Sequence, residues 1–225
     1  MLSEATIAEL LSPYISCPSR LLPALSAYLD LLFRWNARTN LTAIRTPEEI
    51  VRRHFGESLF AALHLETPST GAPDTLLDLG SGAGFPGLPI ALLRPEIAVT
   101  LAESQNKKAV FLREVIRTLK IPNAEVWASR AESLPESRRF HTVTLRAVDA
   151  MGAAIPAAAP RAIRQMILLT GNPPVLPEGF TAEQPIPIPN SRTSVLLRAV
   201  RTTNVPRGTI HIPGRAGTSV GSPQL

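Results

Sequence analysis

An α/β fold with a mostly parallel, doubly wound sheet and a helical extension in front of it is predicted by this sequence of 225 residues. Three observations carry that expectation. From Thr75 onward, short apolar runs alternate with segments of helical periodicity, and alternating β and α elements pair as parallel strands. The run Leu76-Leu77-Asp78-Leu79 passes directly into glycines at 80, 82 and 84 and then into the apolar stretch Leu88–Leu93, which reads as strand, tight turn and helix. Residues 1–70 carry only helical periodicity.

The elements follow in order. Ser3 to Leu11 reads as a short amphipathic helix capped by Ser3, and Arg20 to Asn36 as a longer one with Leu21, Leu22, Leu25, Tyr28, Leu29, Leu32 and Phe33 on one face. Thr46-Pro47-Glu48-Glu49 supplies a cap, a first-turn proline and an acidic first turn for a helix to about Leu65. Pro68–Pro73 is a linker. Strands are expected at 75–79, 97–103, 124–128, 140–145 and 165–170, with helices at 86–93, 105–119 and 150–163. Pro173–Pro189 must turn repeatedly, and Ser194–Arg201 is expected as an antiparallel edge strand. The expected division is a helical extension at 1–70, a sheet domain at 71–204 and a basic, mobile tail at 205–225.

Composition excludes several classes. The chain is 44% hydrophobic, enough for a core, yet no apolar run reaches the roughly 18 residues of a membrane span. The first residues are polar and acidic, unlike a signal peptide. Cys17 is the only cysteine, so neither an internal disulfide nor a cysteine metal site is expected, and a cytoplasmic location is. No metal is expected, and a monomer is. Residues 1–70 carry six basic and seven acidic side chains; residues 71–225 carry seventeen and eleven. After Glu183 five arginines follow without an acid. A pI near 10.1 suits a polyanionic partner. Twenty of the 23 basic residues are arginine, however, which codon bias would also produce.

The glycine turn narrows the ligand. Gly82-Ala83-Gly84-Phe85-Pro86-Gly87 fits the dinucleotide form G-x-G-x-x-G, and Asp78-Leu79-Gly80-Ser81-Gly82-Ala83-Gly84 fits the form acid-x-G-x-G-x-G. A dinucleotide needs free helix-N-terminal amides for its pyrophosphate, and Pro86, placed for a first helical turn, removes one. S-adenosylmethionine has no phosphate and needs a loop passing its methionine end, with an acid such as Asp78 near its ammonium group. Glu103 follows Gly80 by 23 residues at the tip of the second strand, where an acid can accept both ribose hydroxyls of an adenosine. S-adenosylmethionine is therefore the expected cofactor.

Further segments carry a family resemblance. They are Phe33-Arg34-Trp35-Asn36-Ala37-Arg38-Thr39-Asn40-Leu41-Thr42-Ala43-Ile44-Arg45, Arg53-His54-Phe55-Gly56-Glu57-Ser58-Leu59, the longer glycine turn through Gly87-Leu88-Pro89, Ser104-Gln105-Asn106-Lys107-Lys108-Ala109-Val110-Phe111-Leu112-Arg113, Arg130-Ala131-Glu132 and Arg146-Ala147. Together, over about Leu21–Ala147, they resemble the bacterial small-subunit rRNA guanine-N7 methyltransferases, the RsmG or glucose-inhibited division B family.

The resemblance implies a Rossmann-like class I S-adenosylmethionine-dependent methyltransferase with a helical N-terminal extension, methylating N7 of one guanine in 16S rRNA, free or within the small ribosomal subunit. It assigns Gly80, Phe85, Ala131, Glu132 and Arg146 to the cofactor; Asp78, Gly82, Gly84 and Glu103 join them from the turn pattern. Ala131 and Glu132 would read the adenine edge, and Arg146 would face the methionine end and the target base. No general base is needed, because guanine N7 carries a lone pair and no proton; holding the reacting atoms in line supplies much of the rate. Cys17 is too far upstream for the thiolate that cytosine-C5 chemistry requires.

Asn40, Arg45 and His54 have two readings, as structural residues or as the entrance to the cofactor site and RNA contacts. Trp35 and Leu41 are expected to close the extension over the sheet, with Asn36 and Asn40 capping helix ends. Lys107, Lys108 and Arg113, with Arg117 and Lys120, form a basic ridge or a merely solvated face. Asn172-Pro173-Pro174-Val175 resembles the Asn-Pro-Pro-aromatic motif of exocyclic-amine methyltransferases but lacks the aromatic and follows the wrong strand. An NAD-binding oxidoreductase lacks a placed hydride-transfer partner. Thr170 stands where the family usually has lysine, and Leu145 where it has serine.

Overall fold

The computed structural model describes residues 2–66, 74–146 and 151–202; the linker at 68–73, Ala147 and the tail at 205–225 lie outside them. Four helices come first: α1 (Glu4–Leu11), α2 (Leu22–Thr39), α3 (Pro47–Ile50) and α4 (Glu57–Leu63). Ser3 caps α1, accepting from the Thr6 amide at 3.1 Å as its residue type predicts. Thr46 makes no side-chain cap at α3. The expected continuous helix from Pro47 to Leu65 is interrupted: Val51–Gly56 widens into a π-helical turn before α4. Such turns recur at functional sites because they redirect side chains within one helix. Tyr14 packs its ring against Gly56, where a Cβ would meet ring carbons at 2.7–2.9 Å.

The remaining elements are β1 (Asp74–Leu79), α5 (Gly87–Leu93), β2 (Ile97–Ala102), α6 (Asn106–Leu119), β3 (Ala124–Trp127), β4 (Phe140–Leu145), α7 (Met151–Ala158), β5 (Ala162–Thr170), β6 (Phe180–Ala182), β7 (Ile186–Pro187) and β8 (Val195–Arg201). The sheet runs β3-β2-β1-β4-β5-β8-β6, with β7 also on β8. The first five strands in that row are parallel; β8 is antiparallel to β5. The order reverses beside β1, with β2 on one side and β4 on the other, and that is where open α/β sheets bind ligands, beyond the strands' carboxyl ends.

Two expectations are corrected. β8 is not an edge strand, because β6 and β7 from the proline-rich stretch pair along its other side. The helix expected at 150–163 ends at Ala158, and β5 begins at Ala162 rather than 165. Four consecutive small or ring residues, Ala157 to Pro160, give that helix end little apolar surface to bury.

Period-two alternation divides the core. Leu76, Val99, Leu101, Ile167 and Leu169 face a cluster shared with α1, α2, α4, α5 and α6. Leu77, Val143, Leu145, Met166 and Leu168 face α7 and the turn after β3. The N-terminal helices are thus part of one sheet-face core rather than a detached unit. Among the described residues no helix is long and apolar enough to cross a membrane, and no three metal-ligating side chains gather.

Candidate cofactor and methyl-transfer site

At the carboxyl ends of β1 and β4 lies a cleft of about 310 Å³. The glycine turn (Gly80, Ser81, Gly82, Ala83, Phe85) forms one wall, the loop Leu41–Ile44 another, and Arg53, His54 and Arg146 a third. A larger hollow of about 500 Å³ between α2 and α6, lined by Arg34, Trp35, Arg38 and Glu114, has neither strand ends nor a glycine turn. The chemistry is therefore assigned to the smaller cleft.

The turn's shape follows from its glycines. Gly80, Gly82 and Gly84 all have positive φ. Gly80, at φ +73°, has open space where a Cβ would stand, so a ligand can lie against its backbone. Gly84, at φ +92°, is closed on the other side: a Cβ would run into the Tyr28 hydroxyl and Leu88. Tyr28, fully buried in α2, donates to the Ala83 carbonyl at 2.5 Å. Phe85 is buried between Tyr28 and His54, stacked on both with centroids 5.3 and 4.7 Å away.

Two acids expected at the ligand, Asp78 and Glu103, are both buried and already hold partners within the protein. Asp78 does not face an open site: it is 1% exposed, and its carboxylate oxygens are taken by the Gly87 amide (3.1 Å) and the Thr144 hydroxyl (2.8 Å). It fastens the strand to the start of α5, with the Ser81 hydroxyl donating to its carbonyl at 2.9 Å. Burial pushes its carboxyl up to about 6, against the pull of those hydrogen bonds and of Arg146. Glu103 is likewise no free acid in an open cleft. It is 6% exposed, accepting from Gly82 N at 2.9 Å and Gln105 N at 2.7 Å, so it ties the glycine turn to the end of β2. Each oxygen retains acceptor capacity beyond those amides.

Arg146, just past β4, is anchored by the π-helical turn and α4. It donates to Glu57 (2.9 Å), to the Arg53 carbonyl (2.7 Å) and to His54 Nδ1 (2.6 Å). A guanidinium only donates, so His54 accepts at Nδ1 and carries its proton on Nε2, toward the Thr42 hydroxyl at 2.7 Å. Burial first, then Arg146 and Arg53, pull His54 down to about 2. It is a neutral bridge with both nitrogens engaged inside the protein. Thr42 in turn bonds Asn36 at both main-chain atoms, 2.9 and 3.1 Å. Asn36 thus clamps the cleft loop rather than capping its helix.

Of Asn40, Arg45 and His54, only His54 lines the cleft; Asn40 is the left-handed end of α2 and Arg45 is exposed. Trp35 packs on Phe111 of α6 (centroids 5.6 Å), and Leu41 is buried. Ala131 is buried and Glu132 exposed in a short 3₁₀ turn after β3, two strands along from the glycine turn; neither they nor Glu103 line the hollow itself. Lys107 is exposed and Lys108 half-buried in the first turn of α6, beside Glu103, with exposed Arg113 farther along. Burial raises the Cys17 thiol above its ordinary range, which leaves it a weak nucleophile. Thr170 is buried and closes the turn after β5 through Asn172. Sequence reasoning gave no site role to Tyr28, Thr42, Glu57 or Thr144. Thr42 and Glu57 stand inside the quoted motifs, but nothing local pairs Glu57 with a residue 89 positions on.

Comparison with known proteins agrees with this architecture. Magnesium protoporphyrin IX methyltransferase from Synechocystis PCC 6803, solved with bound S-adenosylmethionine, superposes with a TM-score of 0.56 at 16% identity, over 78% of this chain and 97% of that one. It shares the class I methyltransferase fold. The ribosomal RNA small subunit methyltransferase G of Xanthomonas euvesicatoria pv. vesicatoria is 47% identical over 128 residues, 57% of this chain and 58% of that protein. The same-named protein of Xanthomonas oryzae pv. oryzae is 41% identical over 165 residues, 70% of this chain and 74% of its own. The family model for rRNA small subunit methyltransferase G matches residues 21–174, and on that span, which holds the glycine turn, Glu103, Ala131–Glu132 and Arg146, the chain belongs to the rRNA small subunit methyltransferase G (GidB) family.

Proposed function

We propose that this protein transfers a methyl group from S-adenosylmethionine to N7 of one guanine in 16S ribosomal RNA. The observation that carries the reading is the open, positive-φ backbone at Gly80, lining with Arg146 one cleft where the strand order reverses. Bound S-adenosylmethionine supplies a sulfonium methyl group, an electrophile without phosphates. Gly80, Gly82 and Gly84 let the backbone pass close to its methionine end. Glu103, already fixed by two amides, has acceptor capacity left for the ribose hydroxyls. The turn at Ala131 and Glu132 meets the adenine edge.

Asp78 acts indirectly, by holding the glycine turn in register with α5. Arg146 orients the methionine end and the target base, its charge offset by Glu57. Bound there, the cofactor would supply its sulfonium methyl group to the in-plane lone pair of guanine N7, leaving as the neutral thioether, with the positive charge passing to the purine. No proton leaves, so no base is required, which suits a site whose histidine is neutral and fully engaged. The partner is 16S rRNA or the small subunit, with Lys107, Lys108 and Arg113 as phosphate contacts. The chain acts as a cytoplasmic monomer.

Calorimetry tests the cofactor half. S-adenosylhomocysteine is expected to bind with one-to-one stoichiometry and NAD not to bind; NAD binding in its place would overturn the reading.

A further inference from the structure

Arg161 is a buried cation that the proposed reaction does not use. It lies between α7 and β5, is 7% exposed, and has no carboxylate partner among the described residues. Its guanidinium instead donates to four backbone carbonyls of one segment: Glu132 (3.3 Å), Leu134 (2.6 Å), Pro135 (2.5 Å) and Arg138 (3.1 Å). Burying an unpaired charge is expensive, and it persists only where fixed dipoles replace its water. Four carbonyls converging on one fork are such a set.

That segment connects β3 to β4, and its first residues are the 3₁₀ turn Ala131–Ser133. Within itself the turn is closed by Ser133 N donating to the Arg130 carbonyl and Leu134 N to the Ala131 carbonyl, both 3.1 Å, but these bonds do not fix where it stands against the sheet. Glu132 and Ser133 are exposed, and at the outer side the Trp127 indole donates to the Arg130 carbonyl and the Ser133 hydroxyl, which also bonds Ser129. Ala131 and Leu134 are its buried side chains. We infer that Arg161 is a positioning residue for adenine recognition: by gripping the carbonyls of Glu132 and Leu134 from beneath, it sets where the Ala131–Glu132 backbone stands. This rests on the reading above that the turn meets the adenine edge. Arg161 itself touches no ligand.

A packing role alone would weaken every ligand equally. A role in placing the adenine-reading backbone also changes which purine is preferred. The test compares S-adenosylhomocysteine with S-inosylhomocysteine, which carries hypoxanthine in place of adenine, on the wild type, Arg161→Lys and Arg161→Gln. Lysine keeps the charge and a donor; glutamine keeps two donors without a charge, so the pair guards against one variant failing to fold. Melting temperature certifies each fold. The wild type is expected to prefer the adenine ligand. In both variants affinity for it is expected to fall about tenfold, the scale seen when a support behind a binding group is removed. Affinity for the hypoxanthine ligand should fall much less, so the preference collapses. A folded variant that keeps the wild-type ratio overturns the inference. A wild type that binds neither ligand overturns the cofactor reading instead.

Discussion

Glu103 and Asp78 show how one acidic residue can be read correctly by position and wrongly by surroundings. The strand-tip spacing placed Glu103 beside the glycine turn, but its carboxylate also holds two backbone amides. Glu103→Ala is therefore expected to cost stability as well as cofactor affinity, about 1–3 kcal/mol for each amide left without a partner or water. Chemical denaturation and calorimetry on one preparation check both; unchanged stability would contradict the hydrogen bonds described. Asp78 and His54 make an opposed pair on the pH axis. Asp78 holds a proton in the fold up to about pH 6 that the unfolded chain releases near 4, so its stabilisation is present below pH 4 and lost as pH rises through 6. His54 stays neutral in the fold to about pH 2, while the unfolded chain takes up a proton below about 6.5, so its contribution is lost as pH falls below that value. Between pH 4 and 6 the two slopes oppose. Asp78→Asn removes one of them, and its stability should fall about 1.4 kcal/mol more per pH unit than the wild type's on going from pH 6 to 4. Parallel stability curves would show that Asp78 does not titrate as described.

At the scale of elements, the glycine turn is legible because its cause is local. Alternate glycines can take positive φ, and all three do. What the sequence concealed is what fills the turn from outside: Tyr28, 55 residues earlier, occupies the space over Gly84 and bonds Ala83. Helical periodicity marked Tyr28 as core and could say no more, since its partner belongs to another element. Gly84→Ala must then strain φ, about 1–2 kcal/mol, and overpack against Tyr28 and Leu88, about 1–3 kcal/mol. Pairing it with Tyr28→Phe, which shortens that contact by one oxygen, should recover part of the loss in a double-mutant cycle of thermal stability; strict additivity would contradict the contact. The π-helical turn escaped for a different reason. Pro47–Leu63 has ordinary helical periodicity, and the widening serves tertiary bonds from Arg53, His54 and Glu57 to Arg146, about 90 residues away. β6 and β7 were hidden because strands of three and two residues within a proline-rich stretch leave no periodic signal.

For the whole molecule, the parallel sheet and its order of alternation were legible from apolar runs, and Trp35 and Leu41 already pointed to the N-terminal helices closing over the sheet, though not to which of its faces. Tyr28, Phe55 and Phe85 belong to a single core cluster, and the cleft is walled jointly by loop 41–44 and the glycine turn. Deleting residues 1–66 is thus expected to abolish cofactor binding along with folding, rather than RNA binding alone. Far-UV circular dichroism and calorimetry on the truncated chain read both, and a folded, cofactor-competent remainder would contradict the shared core. The central claim is methyl transfer to guanine N7 in the small subunit. Its most direct test incubates the protein with labelled S-adenosylmethionine and small ribosomal subunits from cells lacking the enzyme, then digests the 16S rRNA to nucleosides and separates the methylguanosine isomers. About one label per 16S rRNA is expected, all of it as N7-methylguanosine, and the label should be lost when Arg146→Ala replaces the wild type. Label on an exocyclic amine or on another base, or none with a cofactor-competent wild type, would contradict it.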